Sequence, residues 1–104
     1  MTDFFRTAML YFDEMGKPRL KFDCVLVREG DHYAAICLNV NIASQGDTPA
    51  KTKRALKDAV DLYLDDAIKG NRTYMRPVPE SEDPRKLNPG SIVASYKIGI
   101  DNPT

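Results

Sequence analysis

The sequence is poor in the residues from which catalytic and metal sites are usually built. It has no tryptophan, a single histidine and two cysteines among 104 residues. The two cysteines, Cys24 and Cys37, lack the spacing of zinc ligands. There is no phosphate-binding loop and no dinucleotide fingerprint, and Ser44 does not lie in a nucleophile-elbow motif. We therefore expect no catalytic, cofactor-binding or metal-binding residues, and we interpret His32 as a turn residue.

The chain also lacks an excess of either charge and any long hydrophobic run. Fifteen basic residues balance fifteen acidic ones, which argues against a strongly basic nucleic-acid-binding protein. No apolar run approaches the roughly 20 residues that a membrane-spanning helix needs. The segment from Met1 to Arg6 lacks the basic and apolar parts of a signal peptide. We therefore expect a cytoplasmic protein without a membrane segment, in which both cysteines are free thiols.

What is present is the composition of one globular domain. Hydrophobic residues make up 42% of the chain and charged residues 29%, and the length suits a single modest core. We expect one domain over residues 1–104, divided into an N-terminal extension (1–19), a core (20–100) and a short frayed tail (101–104).

The strands follow from apolar runs separated by turn residues. Glu29-Gly30-Asp31 is a tight turn, so the flanking runs predict an antiparallel hairpin. A two-residue turn would place Cys24 directly opposite Cys37, either as two buried thiols, which we favour, or as a redox pair. The predicted strands are Thr7 to Phe12, Leu20 to Arg28, His32 to Leu38, about Asn41 to Ser44, and Ser91 to Ile100. In the last strand, side chains that alternate toward one side are Ile92, Ala94, Tyr96, Ile98 and Ile100.

A sharp corner joins the short strands to one long helix. Gly46 can adopt backbone angles that other residues avoid. Asp47 and Thr48 are good N-cap residues, and Pro49 suits the first helical position. The pattern predicts a helix from Thr48 to Lys69 that Gly70-Asn71 can close. A proline-rich connecting loop then leads to the last strand.

The helix has one apolar face, which should pack on the sheet. At 3.6-residue spacing this face contains Leu56, Val60, Tyr63 and Ala67, with Thr52 and Ala59 at its margins. The predicted fold is therefore a two-layer α+β domain. It consists of an antiparallel β-meander of about three to four strands, one long helix packed on one sheet face, and a final strand that returns to the sheet.

The opposite side of the helix has an unusual order of charges. Basic residues occupy its first half and aspartates its second half, which is the reverse of what the helix dipole favours. Arg54–Asp58 and Lys57–Asp61 have the spacing of ion pairs. One exposed stripe contains Lys51, Arg54, Asp58, Asp61 and Asp65, and Leu62 lies away from the apolar face. We interpret these six residues as a candidate partner-binding surface. The alternative is a solvated face that binds nothing.

The order of these elements resembles the HicB family of antitoxins. The residues that carry the resemblance are Asp31-His32-Tyr33-Ala34-Ala35 in the hairpin, Gln45-Gly46-Asp47-Thr48 at the corner, Thr48-Pro49-Ala50 with Ala55, Ala59 and Leu64 in the helix, and Pro77-Val78-Pro79-Glu80-Ser81 in the loop. The resemblance spans Leu20 to Ile100 and is carried by the order and spacing of short motifs. It implies a partial ribonuclease H fold, a homodimer or higher homo-oligomer, and a small mRNA-cleaving HicA-type toxin as the protein partner.

The chain departs from the family pattern at two places. The segment Leu38 to Ile42 lacks the Asp-Leu-Pro-Gly-like loop that the family usually carries. After Asn71 the sequence is typical of a loop and a strand, with no helix-turn-helix or ribbon-helix-helix. We therefore expect a stand-alone HicB-like domain that does not itself bind operator DNA.

Two other functions compete with the antitoxin. An RNA-binding module could stack bases on Tyr33, Tyr74 or Tyr96, or use the basic first half of the helix. A metal-dependent nuclease of the ribonuclease H type would need converging carboxylates. Its candidates are Asp23, Asp47, Asp58, Asp61, Asp65 and Asp66, most of which lie away from the apolar face of the helix. An orphan homo-oligomeric domain is a further alternative.

Overall fold

The protein has an α+β fold in which one long helix packs on an antiparallel five-stranded sheet. The computed structural model describes residues 9–12 and 18–101. The strands are β1 (Met9–Phe12), β2 (Pro18–Glu29), β3 (His32–Cys37), β4 (Ile42–Gly46) and β5 (Ile92–Asp101), and the helices are α1 (Pro49–Lys69) and α2 (Pro84–Leu87). Two 3₁₀ turns, Glu80–Glu82 and Pro89–Ser91, flank α2. The predicted fold class is confirmed.

The two ends of the chain are only partly covered by this description. β1 matches the second part of the strand predicted from Thr7, while Thr7, Ala8 and most of the N-terminal extension lie outside the described residues. At the other end β5 begins at Ile92 and ends at Asp101, so the strand is displaced by one residue from the predicted one. Residues 102–104 of the predicted tail also lie outside the described part.

β2 is the central strand and has neighbours along both edges. It pairs with β5 from Arg19, opposite Asp101, to Val27, opposite Ile92. It also pairs with β1 over residues 18–21 and with β3 over residues 24–29. Because both of these stretches overlap the one paired with β5, β1 and β3 share the other edge of β2. β4 then pairs with β3.

The β2–β3 hairpin forms as the turn residues predict. Gly30 has a φ of 64°, a left-handed conformation that glycine adopts without strain. The resulting register places Cys24 opposite Cys37, which confirms the predicted pairing. β3 ends at Cys37 and not at Leu38, because the next four residues form a turn in which Asn41 is left-handed, with a φ of 54°.

The main core lies between α1 and one face of the sheet. Its helix residues are Leu56, Val60 and Leu64, which pack against side chains of β2, β3 and β5. Leu64 was missing from the predicted apolar face, and Thr52 is fully buried although its predicted place was the margin. Tyr63 is only half-buried. The buried face of α1 is therefore rotated from Tyr63 toward Leu64. The Tyr63 hydroxyl donates a hydrogen bond to the carbonyl of Tyr74, 2.9 Å away.

A second cluster covers part of the opposite sheet face. It consists of Val25, Val27, Ala34 and Leu38, with Ile36, Val78 and Ile92 packed against it. The chain after α1 crosses to this face, where the backbone amides of Arg76 and Val78 donate to the carbonyls of Asn39 and Leu38 at 3.0 and 2.9 Å. The predicted connecting loop is thus a packed segment with three short helical turns.

A bulge in β5 explains why Ile92 lies on this second face. Leu26 pairs with Ala94 but Val27 pairs with Ile92, so Val93 is an extra residue in β5. One extra residue reverses the alternation of side chains beyond it. The expectation that Ile92 shares a face with Ala94, Tyr96 and Ile98 is therefore wrong.

Local hydrogen bonds end α1 as the sequence indicates. The amide of Asn71 donates to the carbonyl of Ile68 and the amide of Arg72 to that of Ala67, at 3.0 and 2.8 Å. This is a Schellman motif, with Asn71 in the left-handed position at a φ of 55°. Of the helices in the described ranges, none is long and apolar enough to cross a membrane.

Candidate partner-binding surface

The corner at residues 46–49 fixes where α1 starts. Thr48 caps the helix: its side-chain oxygen accepts a hydrogen bond from the amide of Lys51 at 3.2 Å, and Pro49 follows in the first turn. Gly46 acts differently from the prediction, because its φ is not positive. A Cβ at this position would lie 2.7 Å from Thr52 Oγ1 and 3.0 Å from its amide nitrogen. Glycine is needed here for space, which lets β4 pass directly against the first turn of α1.

Because the buried residues of α1 face the sheet, the residues of the predicted partner-binding surface face outward. The buried residues of α1 are Thr52, Leu56, Val60, Leu64 and Ala67. At 3.6 residues per turn the six predicted surface residues fall within a sector of about 100° on the opposite side. We call these residues the α1 stripe; they are Lys51, Arg54, Asp58, Asp61, Leu62 and Asp65. All are exposed except Asp61, which is half-exposed.

Ion pairs form along the acidic half of the helix. Lys57 Nζ lies 2.9 Å from Asp61 Oδ2, as the spacing predicts, and Lys69 Nζ lies 3.1 Å from Asp65 Oδ2. Asp66 pairs with Arg72 beyond the helix. These pairs are exposed, so each contributes little to stability and leaves its charge accessible to a partner.

The predicted Arg54–Asp58 pair does not form. Within the described residues Lys51, Arg54 and Asp58 have no ion-pair partner, although Arg54 and Asp58 are four residues apart. The stripe therefore carries two free cations near its start and a free carboxylate at its middle.

Leu62 is the apolar centre of the acidic half. Its side chain is 71% exposed, the largest exposure of any large hydrophobic residue described. Its neighbours one turn away on the helix include Asp58, Asp65 and Asp66. The acidic half of the stripe thus has an exposed leucine with carboxylates one helical turn away on either side.

The carboxylates of the nuclease hypothesis do not converge. Asp23 follows the alternation of Val25 and Val27, so it lies on the sheet face opposite α1, where its carboxylate pairs with Lys97. The sheet therefore separates Asp23 from the aspartates of the helix. Over residues 9–12 and 18–101 no group of three or more histidine, cysteine, aspartate or glutamate side chains could hold a metal ion.

His32 lies at the hairpin turn, as predicted. Its Nδ1 is 3.3 Å from Asp31 Oδ1 and its Nε2 is 3.7 Å from Glu29 Oε1. Together with Gln45, Gly46 and Asp47 it lines a shallow depression of about 300 Å³. The depression brings together no nucleophile and base.

The tyrosines of the RNA-binding hypothesis are packed against the core. Tyr33, Tyr74 and Tyr96 are each half-buried beside the helix-side cluster. Burial raises the pKa of Tyr96, and the Lys53 ammonium lies 4.8 Å from the centre of its ring. The three rings are therefore partly engaged in packing.

The second sheet face has a polar cleft that was not predicted from the sequence. It is about 260 Å³ in volume and contains Asn39, Asp83 and Arg85. Asp83 is buried, caps α2 through the amide of Arg85 at 2.9 Å, and accepts from the Arg85 guanidinium at 2.7 Å. Hydrogen bonds from Arg85 lower the pKa of Asp83. The signal was present in Asp83-Pro84, a cap followed by proline, as in Thr48-Pro49.

The charged residues that line the cleft are Asp23, Asp83 and Arg85. Asp83 pairs with Arg85, and Asp23 pairs with Lys97 of β5. The charges of the cleft are therefore paired within the chain, and the backbone hydrogen bonds of Arg76 and Val78 connect the segment after α1 to the turn after β3.

No family model, curated protein or solved structure matches the chain. The resemblance to HicB antitoxins accordingly rests on the sequence motifs and on the order of the elements.

Proposed function

We propose that this protein is a non-catalytic HicB-like antitoxin that binds and neutralises a small HicA-type mRNA-cleaving toxin in the cytoplasm. The observation that supports the proposal best is the α1 stripe, with its exposed leucine and surrounding carboxylates. A toxin that cleaves mRNA must itself present a basic surface to RNA phosphates. The acidic half of the stripe has the complementary charge.

Neutralisation by this route requires no chemistry from the antitoxin. Leu62 would fill an apolar pocket on the toxin, and exclusion of water around it would strengthen the flanking charge contacts. Asp58, Asp61 and Asp65 would face the basic residues with which the toxin binds RNA. Lys51 and Arg54, which are free in the described structure, would meet an acidic part of the same partner.

The same proposal includes a homodimer or higher homo-oligomer, as in the family that the sequence resembles. β1, β4 and β5 each pair with a single strand, and no described strand pairs with their outer edges. Such edges suit pairing with another copy of the chain.

Titration calorimetry against the HicA-type toxin encoded beside this protein's gene tests the proposal. We expect nanomolar binding, together with loss of the toxin's mRNA cleavage at one equivalent of the protein. Absence of binding by a protein shown to be folded would overturn it. Salt-dependent binding of single-stranded RNA in its place would favour the RNA-binding alternative.

A further inference from the structure

Cys24 and Cys37 are neighbours on adjacent strands, with their side chains on the helix-facing side of the sheet. They are register partners in the β2–β3 ladder and belong to the same core cluster. The next pair along, Asp23 and Leu38, is joined by a backbone hydrogen bond from the Leu38 amide to the Asp23 carbonyl at 2.9 Å. Since antiparallel pairs alternate, Cys24 and Cys37 form a non-hydrogen-bonded pair, in which the side chains approach most closely.

The surroundings of Cys37 stabilise a thiolate. The thiols of Cys24 and Cys37 share a hydrogen bond, and the backbone amides of Asn39 and Val40 lie beside the Cys37 sulfur. These amides belong to the turn after β3, which folds back over the end of the strand. The bond from Cys24 lowers the pKa of Cys37 most, and burial opposes it; for Cys24, the same bond and burial raise the pKa.

We propose that Cys24 and Cys37 are a thiol oxidation site, in which Cys37 reacts with a small hydroperoxide and Cys24 then closes a disulfide. The Cys37 thiolate attacks one peroxide oxygen, the O–O bond breaks, and the leaving oxygen takes up a proton to become water (or an alcohol from an alkyl hydroperoxide). This leaves a sulfenic acid on Cys37. The Cys24 sulfur attacks the Cys37 sulfur, and the hydroxyl group of the sulfenic acid leaves as water with the Cys24 proton. Two thiols are oxidised and one peroxide is reduced.

The geometry supports the second step. Paired residues at a non-hydrogen-bonded position have Cα atoms roughly 4.5 Å apart, within the range that a disulfide spans. The cysteines are 1% and 0% exposed, so only a small uncharged oxidant can reach them without unfolding. Hydrogen peroxide meets this requirement, whereas glutathione disulfide is bulky and charged. The site therefore selects the class of oxidant as well as the product.

Mass spectrometry of the reduced wild-type protein tests the proposal. Hydrogen peroxide at neutral pH should remove both free thiols and lower the mass of each chain by two hydrogen atoms, with Cys24 and Cys37 joined within one chain. Glutathione disulfide at the same concentration should leave both thiols free. Thiols that survive peroxide in the folded protein, or disulfides that form only between chains, would overturn the proposal.

Single variants test the assigned roles. In Cys24→Ser the sulfenic acid on Cys37 should persist after peroxide treatment and be trapped when the protein is then unfolded in denaturant that contains dimedone, whereas Cys37→Ser should give little adduct. Equal labelling of the two variants would contradict the assignment of Cys37 as the attacking thiol. The alanine variants Cys24→Ala and Cys37→Ala, checked by circular dichroism, replace the serine variants if a buried hydroxyl prevents folding. The wild-type measurement decides the proposal in either case.

Discussion

At single positions the structure separates residues required for space from those required for backbone conformation. Gly30 is left-handed and faces open space, so its backbone angle is what the hairpin turn uses. Gly46 has an ordinary φ but lies against Thr52, which is fully buried and donates from Oγ1 to the Thr48 carbonyl at 2.7 Å. The sequence indicated the importance of Gly46 at the corner. It could not reveal the reason, because the close approach depends on how β4 packs against α1.

Gly46→Ala should therefore destabilise the protein. The new Cβ would overlap both the side chain and the backbone of Thr52, and forced shifts of this kind cost about 1–3 kcal/mol. Gly90→Ala is the matched control, since a Cβ there meets nothing within 4 Å and the φ of Gly90 is not in the left-handed range. Urea denaturation of both variants measures the difference. Equal unfolding free energies would show that the corner can move to accommodate a methyl group.

At the scale of elements, features that depend on local sequence were predicted correctly, whereas features that depend on long-range packing were not. The hairpin, the helix caps and the Schellman motif depend on residues close together in sequence, and each was predictable. The bulge at Val93, the rotation of the buried stripe toward Leu64 and the packing of residues 76–91 on the second sheet face depend on partners far away in the chain. The short helix α2 is an intermediate case. Its sequence signal, an N-cap residue followed by proline, is local, but the helix was not predicted.

The hydrogen bonds of Asp83 with Arg85 should stabilise the start of α2. Because the pKa of Asp83 is lowered by its bonds with Arg85, the folded state binds the Asp83 proton more weakly than the unfolded chain does. The contribution is full above the unfolded aspartate pKa of about 3.9 and is lost as the pH falls through the lower folded value. Stability from this residue thus decreases in acid.

Asp83→Asn keeps a capping side chain but removes the charge, and it should lower the unfolding free energy at pH 7 by about 1 kcal/mol. The gap between variant and wild type should narrow as the pH is lowered below about 4. Chemical denaturation of the variant and the wild type, at pH 7 and at a pH below about 4, measures this difference in unfolding free energy. Glu80→Gln, which removes an exposed carboxylate paired with Lys86, is the control and should change little. A gap that is independent of pH would mean that the charge of Asp83 has no role.

At the scale of the whole molecule, the fold divides the surface into two different sides. One side is the outer face of α1, where the α1 stripe combines free charges with an exposed leucine. On the other side, the charges of the cleft are paired within the chain. Helical periodicity alone predicted the stripe, because the inner and outer faces of an amphipathic helix follow from the same spacing. It did not predict which ion pairs form, since Lys57–Asp61 is present and Arg54–Asp58 is not.

Charge reversal tests the acidic half of the stripe. The double variant Asp61→Lys and Asp65→Lys should bind the HicA-type toxin at least tenfold more weakly, by about 1.4 kcal/mol or more, because like charges then face each other. The binding constant from titration calorimetry is the readout. The control reverses Glu80 and Glu82, two exposed acids on the other side of the molecule, to lysine. Equal loss of affinity in both double variants would mean that only the net charge of the protein matters. Unchanged binding by the Asp61→Lys and Asp65→Lys variant would show that the acidic half of the stripe is not part of the interface.

The most direct test of the central claim, that the α1 stripe is the binding surface, compares two exposed leucines. Leu62 and Leu87 are 71% and 65% exposed, but only Leu62 lies in the stripe. We predict that Leu62→Asp weakens toxin binding at least tenfold in titration calorimetry and restores mRNA cleavage, while Leu87→Asp binds like the wild type. Equal affinity of the Leu62→Asp variant and the wild-type protein would contradict the account.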